Sequence, residues 1–259
     1  MGRVKDLSVI IPAYNEEKRI EKTLRNYITF LKKLYKENFE IIVITDGCED
    51  FTPKIVENLC KEFPCIIHIR PPKRLGKGGA IIKGFKVAKG EVVGFLDADG
   101  STPCESIEFL LKNLRGHDGV IASRWINGAV IRKDEPLARR IASRVFNFLV
   151  RVLFGFHFKD TQCGAKFFRK KAIKSVVNEL GLTDWAFDID LLYRLNKKGF
   201  KIKEVPITWR YEEGSKLNLV KVSIQMFLSV IGLRIKTSPF AFIAKSKPIR
   251  WIYKVVREL

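Results

Sequence analysis

The sequence predicts an α/β fold built on a mostly parallel central sheet. Three observations carry that prediction. Apolar runs of strand length alternate with segments whose apolar residues recur at helical spacing. The runs are apolar throughout rather than alternately polar, as in strands covered by helices on both faces. The 259 residues allow one large domain, or one domain with an appendage.

The elements follow in order. "LSVIIPA" (7–13) is a first strand. Asn15 is a candidate helix cap with Glu16 and Glu17 in the first turn, and Ile20, Leu24, Tyr27, Leu31 and Leu34 then keep helical spacing. "EIIVIT" (40–45) is a second strand, Pro53 to Lys61 a helix, and "CIIHIR" (65–70) a third strand. Ala80 to Lys89 is a short helix closed by Gly90, and "EVVGFL" (91–96) is a fourth strand. In "TPCE" (102–105), Thr takes the N-cap, Pro the first helical position and Glu the third. "GVIAS" (119–123) is a fifth strand.

The second half differs. "PLARRIASRVFNFLVRVLFGFHF" (136–158) sets arginines among large apolar residues, and "LNLVKVSIQMFLSVIGLRI" (217–235) is apolar but broken by Lys221. Neither offers the ~20 uninterrupted apolar residues that span a bilayer. Both could lie in a membrane interface with their cations toward the headgroups, or pack as core helices. Charged "MGRVKDLS" runs straight into a strand, so no secretory signal is expected.

Lys and Arg number 48 against 28 Asp and Glu, a net charge of +20. Such a field attracts nucleic acid, an acidic membrane surface or phosphorylated small molecules. A nucleic-acid reader would need aromatics interleaved with cations on a sheet, or a recognition helix, and neither is found. Five scattered cysteines and three histidines show no zinc spacing, which points to reduced thiols.

The acidic motif "FLDADGS" (95–101) carries the chemistry. Asp97 and Asp99 stand two apart where a strand is about to end, so both can face one site, and ligands of open α/β sheets bind beyond the carboxyl ends of strands. Two carboxylates there repel unless a divalent cation joins them, and Mg²⁺ or Mn²⁺ shares such ligands with phosphates. "RLGKGGAIIKG" (74–84) sets glycines and Lys77 directly before a helix, where backbone N–H groups can cradle phosphate. It is neither a Walker A motif nor a complete GxGxxG. "VIIPAYNEE" (9–17) ends the first strand with Pro12, Tyr14 and Glu16, types that stack on and hydrogen-bond a nucleobase, and "ITDGCED" (44–50) places Asp46 and Asp50 in a turn.

The order "VIIPAYNEE", "ITDGCED", "GKGGA", "LDADG", "DTQCGAKFF" (160–168), "WAFDIDLL" (185–192) and "EEGSKL" (212–217) resembles a family 2 inverting glycosyltransferase. Within that family it is most similar to the polyprenyl-phosphate sugar transferases of the dolichyl-phosphate β-glucosyltransferase type. The resemblance covers roughly residues 7 to 217 and implies the GT-A fold. It implies that Pro12, Tyr14, Glu16 and Asp46 bind base and ribose, that Asp97 touches the nucleotide, and that Asp99 holds the metal on the diphosphate, with Lys77 beside it. Two positions depart from the family pattern. Thr45 and Cys48 replace an Asp and a Ser of the second motif, and Ser101 stands where mannose synthases carry Gln, which favours glucose.

The implied reaction is attack of a lipid phosphate oxygen on the anomeric carbon. A phosphate monoester is largely a dianion near neutrality, its second pKa being ~6, so it needs cations more than a base. Arg124, Arg139, Arg140 and Lys216 are the candidates, and the resemblance carries acceptor-phosphate binding to Arg124 and to Arg139 or Arg140. Asp188 sits where other members place a general base, and is expected to act as catalytic or acceptor-positioning residue together with Arg124. Trp185 could stack on the sugar, Asp160 and Gln162 could order the acceptor loop, and Cys163 packs beside Gly164. The expected partners are a nucleotide-sugar, a polyprenyl phosphate and an anionic membrane surface. Residues 1–216 would form the catalytic domain and 217–259 a membrane-associating helical segment. The expected place is the cytoplasmic membrane face, peripherally bound, with no transmembrane helix. Alternatives are the same chemistry with GDP-mannose, a basic nucleic-acid-binding protein, or an inactive membrane-bound scaffold.

Overall fold

The computed structural model describes residues 5–132, 136–181, 186–210 and 219–238, with side chains from residue 225 in the last segment. Lys216, Trp185 and the segment from residue 239 onward lie outside the described residues. The order is β1 (Lys5–Ala13), α1 (Ile20–Tyr35), β2 (Phe39–Thr45), α2 (Thr52–Glu62), β3 (Ile66–Ile69), α3 (Lys77–Val87), β4 (Gly90–Phe95), α4 (Cys104–Asn113) and β5 (Gly119–Ser123). There follow β6 (Val130–Arg132), α5 (Leu137–Phe154), β7 (Lys166–Arg169), α6 (Lys170–Val176), α7 (Phe187–Lys197), β8 (Ile202–Pro206), β9 (Thr208–Arg210) and α8 (Leu219–Lys236).

Seven strands form one sheet in the order β3-β2-β1-β4-β7-β5-β8, and β6 pairs with β9 in a small second sheet. Every pairing in the large sheet is parallel except those of β7, which runs antiparallel between β4 and β5. This reversal sets the first residue of β7 beside the last of β4: Lys166 is in register with Phe95 on one side and Ile121 on the other.

Strand alternation divides the core in two. Leu7, Val9 and Ile11 face a layer with α1, α2 and α4, whereas Ile10 and Ile44 face α3, α6 and α7. Ser8 points into the second layer and is satisfied there, donating to Glu40 Oε1 at 2.6 Å and accepting from Gly90 N–H at 2.8 Å. Val230 and Leu233 of α8 join this second core, and α8 packs on α5.

Four local expectations need correction. Asn15 caps no helix: its φ is 54°, its side chain accepts from Glu49 N–H at 2.9 Å, and α1 starts only at Ile20. Gly90 does not close α3 but opens β4, where a Cβ would stand 2.5 Å from Ser8 N. Thr102 lies one residue before the cap position of α4, which Pro103 takes, and its carbonyl accepts from the Tyr27 hydroxyl at 3.0 Å. Finally, β4 ends at Phe95, so Asp97 and Asp99 stand beyond the strand, in the turn completed by Gly100 at φ 73°.

Helix α5 buries Asn147 and Val150 and ends in a left-handed Gly155. Its opposite face exposes Leu137, Ile141, Val145, Phe148 and Val152, spaced by three or four residues and therefore one stripe. Arg140, Arg144 and Arg151 are exposed on the same helix. Among the described residues, no helix is long and apolar enough to cross a membrane.

Candidate active site

The site is built from the carboxyl ends of β1, β2 and β4, the start of α3, and the first residue of β7. Asp46 follows β2 and is buried. Its two oxygens accept from Leu75 N–H at 2.6 Å and Gly76 N–H at 2.8 Å. It thereby pins the turn before α3, where Gly76 takes a φ of 78° that side chains rarely adopt. Pro12 is half-buried in β1 opposite Ile44. Tyr14 is exposed, with the Arg74 guanidinium 3.7 Å above its ring. Glu16 accepts from Arg19 Nε at 2.8 Å; burial pushes its carboxyl up, aided by the charges of Asp99 and Asp97, while Arg19 opposes the rise.

Lys77 opens α3 and reaches Asp97, Nζ to Oδ1 2.6 Å. Gly164 lies flat against the same carboxylate, since a Cβ there would stand 1.8 Å from Asp97 Oδ2. Gly78 lets α3 close on α7, as a Cβ would meet Phe187 Cβ at 2.4 Å. That contact brings Asp188, in the first turn of α7, to the floor of the site. Asp188 is not an open carboxylate: Lys166 Nζ, fully buried, donates to its Oδ1 at 2.5 Å and to the Cys163 carbonyl at 2.6 Å. The neighbouring Asp190 turns elsewhere and pairs with Arg194 at 2.7 Å.

The electrostatics separate the two acids of the motif. Burial would raise Asp97, but the charges of Lys77, Lys166 and Arg124 outweigh it and hold its carboxyl below the usual range. Asp99 is raised, by burial first and then by Asp97, against hydrogen bonding from Ser101, whose N–H lies at 2.9 Å, and the charge of Arg19. Among the described residues no three or more His, Cys, Asp or Glu side chains gather as a metal cage. The residues present fit a cation held by one or two carboxylates that completes its shell from a bound ligand, the usual habit of Mg²⁺ and Mn²⁺ at phosphates. Cys163 is no nucleophile, for burial pushes its thiol up to about 12.

Arg124 stands at the end of β5 and is held by buried Asp160 through Nε at 2.7 Å, Nη2 at 3.0 Å and its own backbone N–H at 3.0 Å. Asp160 in turn orders the loop before β7, accepting from Gln162 N–H at 3.3 Å. Three guanidiniums surround the Trp125 ring, those of Arg124 at 5.5 Å, Arg140 at 5.9 Å and Arg144 at 5.7 Å. The structure thus brings Lys77, Asp97, Asp99, Glu16 and Asp188 into one charge system and links Arg124 to it electrostatically. Arg140 joins Arg124 at the indole, whereas Arg139 is not part of that ring contact. Sequence reasoning missed Lys166, Arg74 and Arg144. The signal for Lys166 was a lone cation in the apolar run "CGAKFF". Thr45 and Cys48, the two departures in the second motif, turn to His68 Nε2 at 2.8 Å and to the Ala13 carbonyl at 3.4 Å.

The same sheet and helices recur in glucosyl-3-phosphoglycerate synthase from Mycobacterium tuberculosis, solved with Mn²⁺, UDP and glucosyl-3-phosphoglycerate. It superposes with a TM-score of 0.65 at 21% identity, over 89% of this chain and 80% of that one. The fold class is that of the GT-A glycosyltransferases. Residues 8–177 match glycosyl transferase family 2, and the chain belongs to that family. It is 35% identical over 219 residues to glycosyltransferase AglD of Haloferax volcanii, a match that takes in 83% of this chain but only 35% of AglD's length. It is 33% identical over 243 residues to the dolichyl-phosphate beta-glucosyltransferase of Dictyostelium discoideum, covering 89% of this chain and 74% of that protein.

Proposed function

We propose that this glycosyltransferase moves glucose from UDP-glucose to a polyprenyl (dolichyl) phosphate at the cytoplasmic face of a membrane. The observation that carries the reading is the juxtaposition of two unlike surfaces. One is the acidic turn of Asp97 and Asp99 over the α3 N-terminus. The other is the guanidinium cluster at Trp125, one member of which, Arg124, also lowers the carboxyl of Asp97. The likeness to dolichyl-phosphate glucosyltransferases supports the acceptor.

Pro12, Tyr14 and Glu16 would meet base and ribose, and Asp46 acts on the donor through the turn it pins. Asp97 and Asp99 would hold Mg²⁺ or Mn²⁺, whose charge stabilises a departing nucleoside diphosphate. Arg140 and Arg144 suit the acceptor phosphate, because only the indole engages their guanidiniums among the described residues. Arg124, seated on Asp160, flanks the same indole. A phosphate dianion needs no strong base, and Asp188, tied to Lys166, positions the floor of the site. Residues 1–216 serve as the catalytic unit and 217–259 as a membrane-associating segment, with the exposed stripe of α5 also facing lipid.

The test is sugar transfer to a short polyprenyl phosphate with Mn²⁺, comparing UDP-glucose with GDP-mannose in the wild type and in Asp99→Ala. UDP-glucose transfer lost in Asp99→Ala is the expected result. Transfer from GDP-mannose alone overturns the sugar; turnover unaffected by Asp99→Ala overturns the metal site.

A further inference from the structure

The two lysines of the site are held very differently. Lys166 Nζ is fully buried and held twice, by Asp188 and by the Cys163 carbonyl. Lys77 is held once: among the described residues, Asp97 is the only partner of its ammonium, and its side chain is 26% exposed. Lys77 is the first residue of α3. Its long stem can swing about a turn that Asp46 keeps fixed, and the unpaired N–H groups of a helix start lie beside it. The carboxylate it occupies belongs to the pair assigned to the divalent cation.

We propose that Lys77 is an exchangeable counter-ion that couples cation binding to nucleotide binding. Without ligand it sits on Asp97 and competes with a divalent cation for that carboxylate. An incoming nucleoside diphosphate offers the ammonium a better anion at the α3 N-terminus, Lys77 leaves Asp97, and the cation takes its place. Lys166 does not take part in this exchange, because it has no exposed surface and no free direction to move. The protein therefore takes up the cation together with the nucleotide and binds the bare cation poorly. A purely structural Lys77 would behave in the opposite way, since its removal would loosen the turn and weaken every ligand. The inference rests on the metal site of the proposed function and adds to it the residue that gates that site.

The experiment is a titration of Mn²⁺ into nucleotide-free protein, read by loss of the free-ion EPR signal, and repeated with UDP present. It compares the wild type, Lys77→Met, Asp99→Asn and Lys77→Met/Asp99→Asn, each checked for folding by circular dichroism; Lys77→Gln replaces the Met variant should that one not fold. Removing a charge-assisted competitor is expected to tighten nucleotide-free Mn²⁺ binding by about tenfold or more. By linkage, the enhancement of Mn²⁺ binding by UDP shrinks by the same factor, and Asp99→Asn removes the gain. An unchanged or weaker Mn²⁺ affinity in folded Lys77→Met, with Asp99→Asn still blocking Mn²⁺ uptake alongside UDP, overturns the inference and leaves the donor site standing. A gain that survives Asp99→Asn places the cation elsewhere and overturns both.

Discussion

Gly164→Ala is expected to leave the fold standing and disable the site. The new Cβ would lie 1.8 Å from Asp97 Oδ2, whereas real Cβ contacts stay beyond 3.0 Å. The carboxylate must therefore retreat by at least 1.2 Å, the difference between 3.0 and 1.8 Å. What moves is the end of a side chain, not backbone. The stability lost is that of one partly exposed ion pair to Lys77, worth about 1 kcal/mol after solvent screening. That corresponds to a fall in Tm of roughly 2–4 °C for a chain of this size. The rate is far more sensitive, because a 1 Å misplacement in a reacting site costs on the order of 10²-fold. Transfer from UDP-glucose to a short polyprenyl phosphate, with a thermal melt of the same sample, measures both. Wild-type turnover in the variant would refute the claim that Asp97 must hold this position. A variant that does not fold would refute the claim that the carboxylate yields.

Three further outcomes are expected. Asp188→Asn strands a buried ammonium on Lys166 and should cost about 3–5 kcal/mol in denaturant unfolding, largely restored in Lys166→Met/Asp188→Leu; lost turnover at full stability would instead make Asp188 a base. Asp160 is buried, which alone would raise its pKa, but the charge and hydrogen bonds of Arg124 outweigh this and hold it below the ordinary 3.8. A depressed carboxyl contributes stability above its unfolded pKa and loses it as pH falls through its folded one. Asp160→Asn should thus be less stable by about 3 kcal/mol at pH 7, and the gap should begin to narrow near pH 3.8 and close only once the pH has fallen through the depressed folded-state pKa, as read by unfolding across pH. Phe148→Ser should weaken co-sedimentation with anionic vesicles roughly thirtyfold, from the ~2 kcal/mol of one buried Phe, with no change in melting because the ring is 61% exposed.

The parts of the fold legible in the sequence were those with a local signature. Strand β5 agrees with the sequence reading to the residue, and β1 to β4 agree within two residues at each end, because a buried parallel strand announces itself as an apolar run. Where two local rules compete, the sequence misleads. Gly90 satisfies the rule for a helix stop, yet its reason is close approach to the backbone of β1. Asn15 satisfies the rule for a cap, yet Asn also tolerates the left-handed backbone it adopts. The acidic turn and the glycine turn stand out by their motifs, and Asp188 by the family resemblance. The partners that give them meaning do not. Lys166 meets Asp188 across 22 residues and Arg124 meets Asp160 across 36. No spacing rule joins such pairs, because the reversal of β7 and the closure of α3 on α7 create them.

The reversed strand has a consequence for how the molecule comes into being. Strands β1 to β4 pair among themselves and leave the ribosome first, so β4 stands with an open edge until Lys166–Arg169 arrives and seals it. An unsealed apolar edge recruits other chains, and folding intermediates that carry one aggregate. The strand that removes this hazard also delivers Lys166, and the loop leading into it delivers Gly164. Solubility and competence are thus conferred by one late event. A newly made chain that has escaped aggregation already has Lys166 against Asp188 and Gly164 against Asp97.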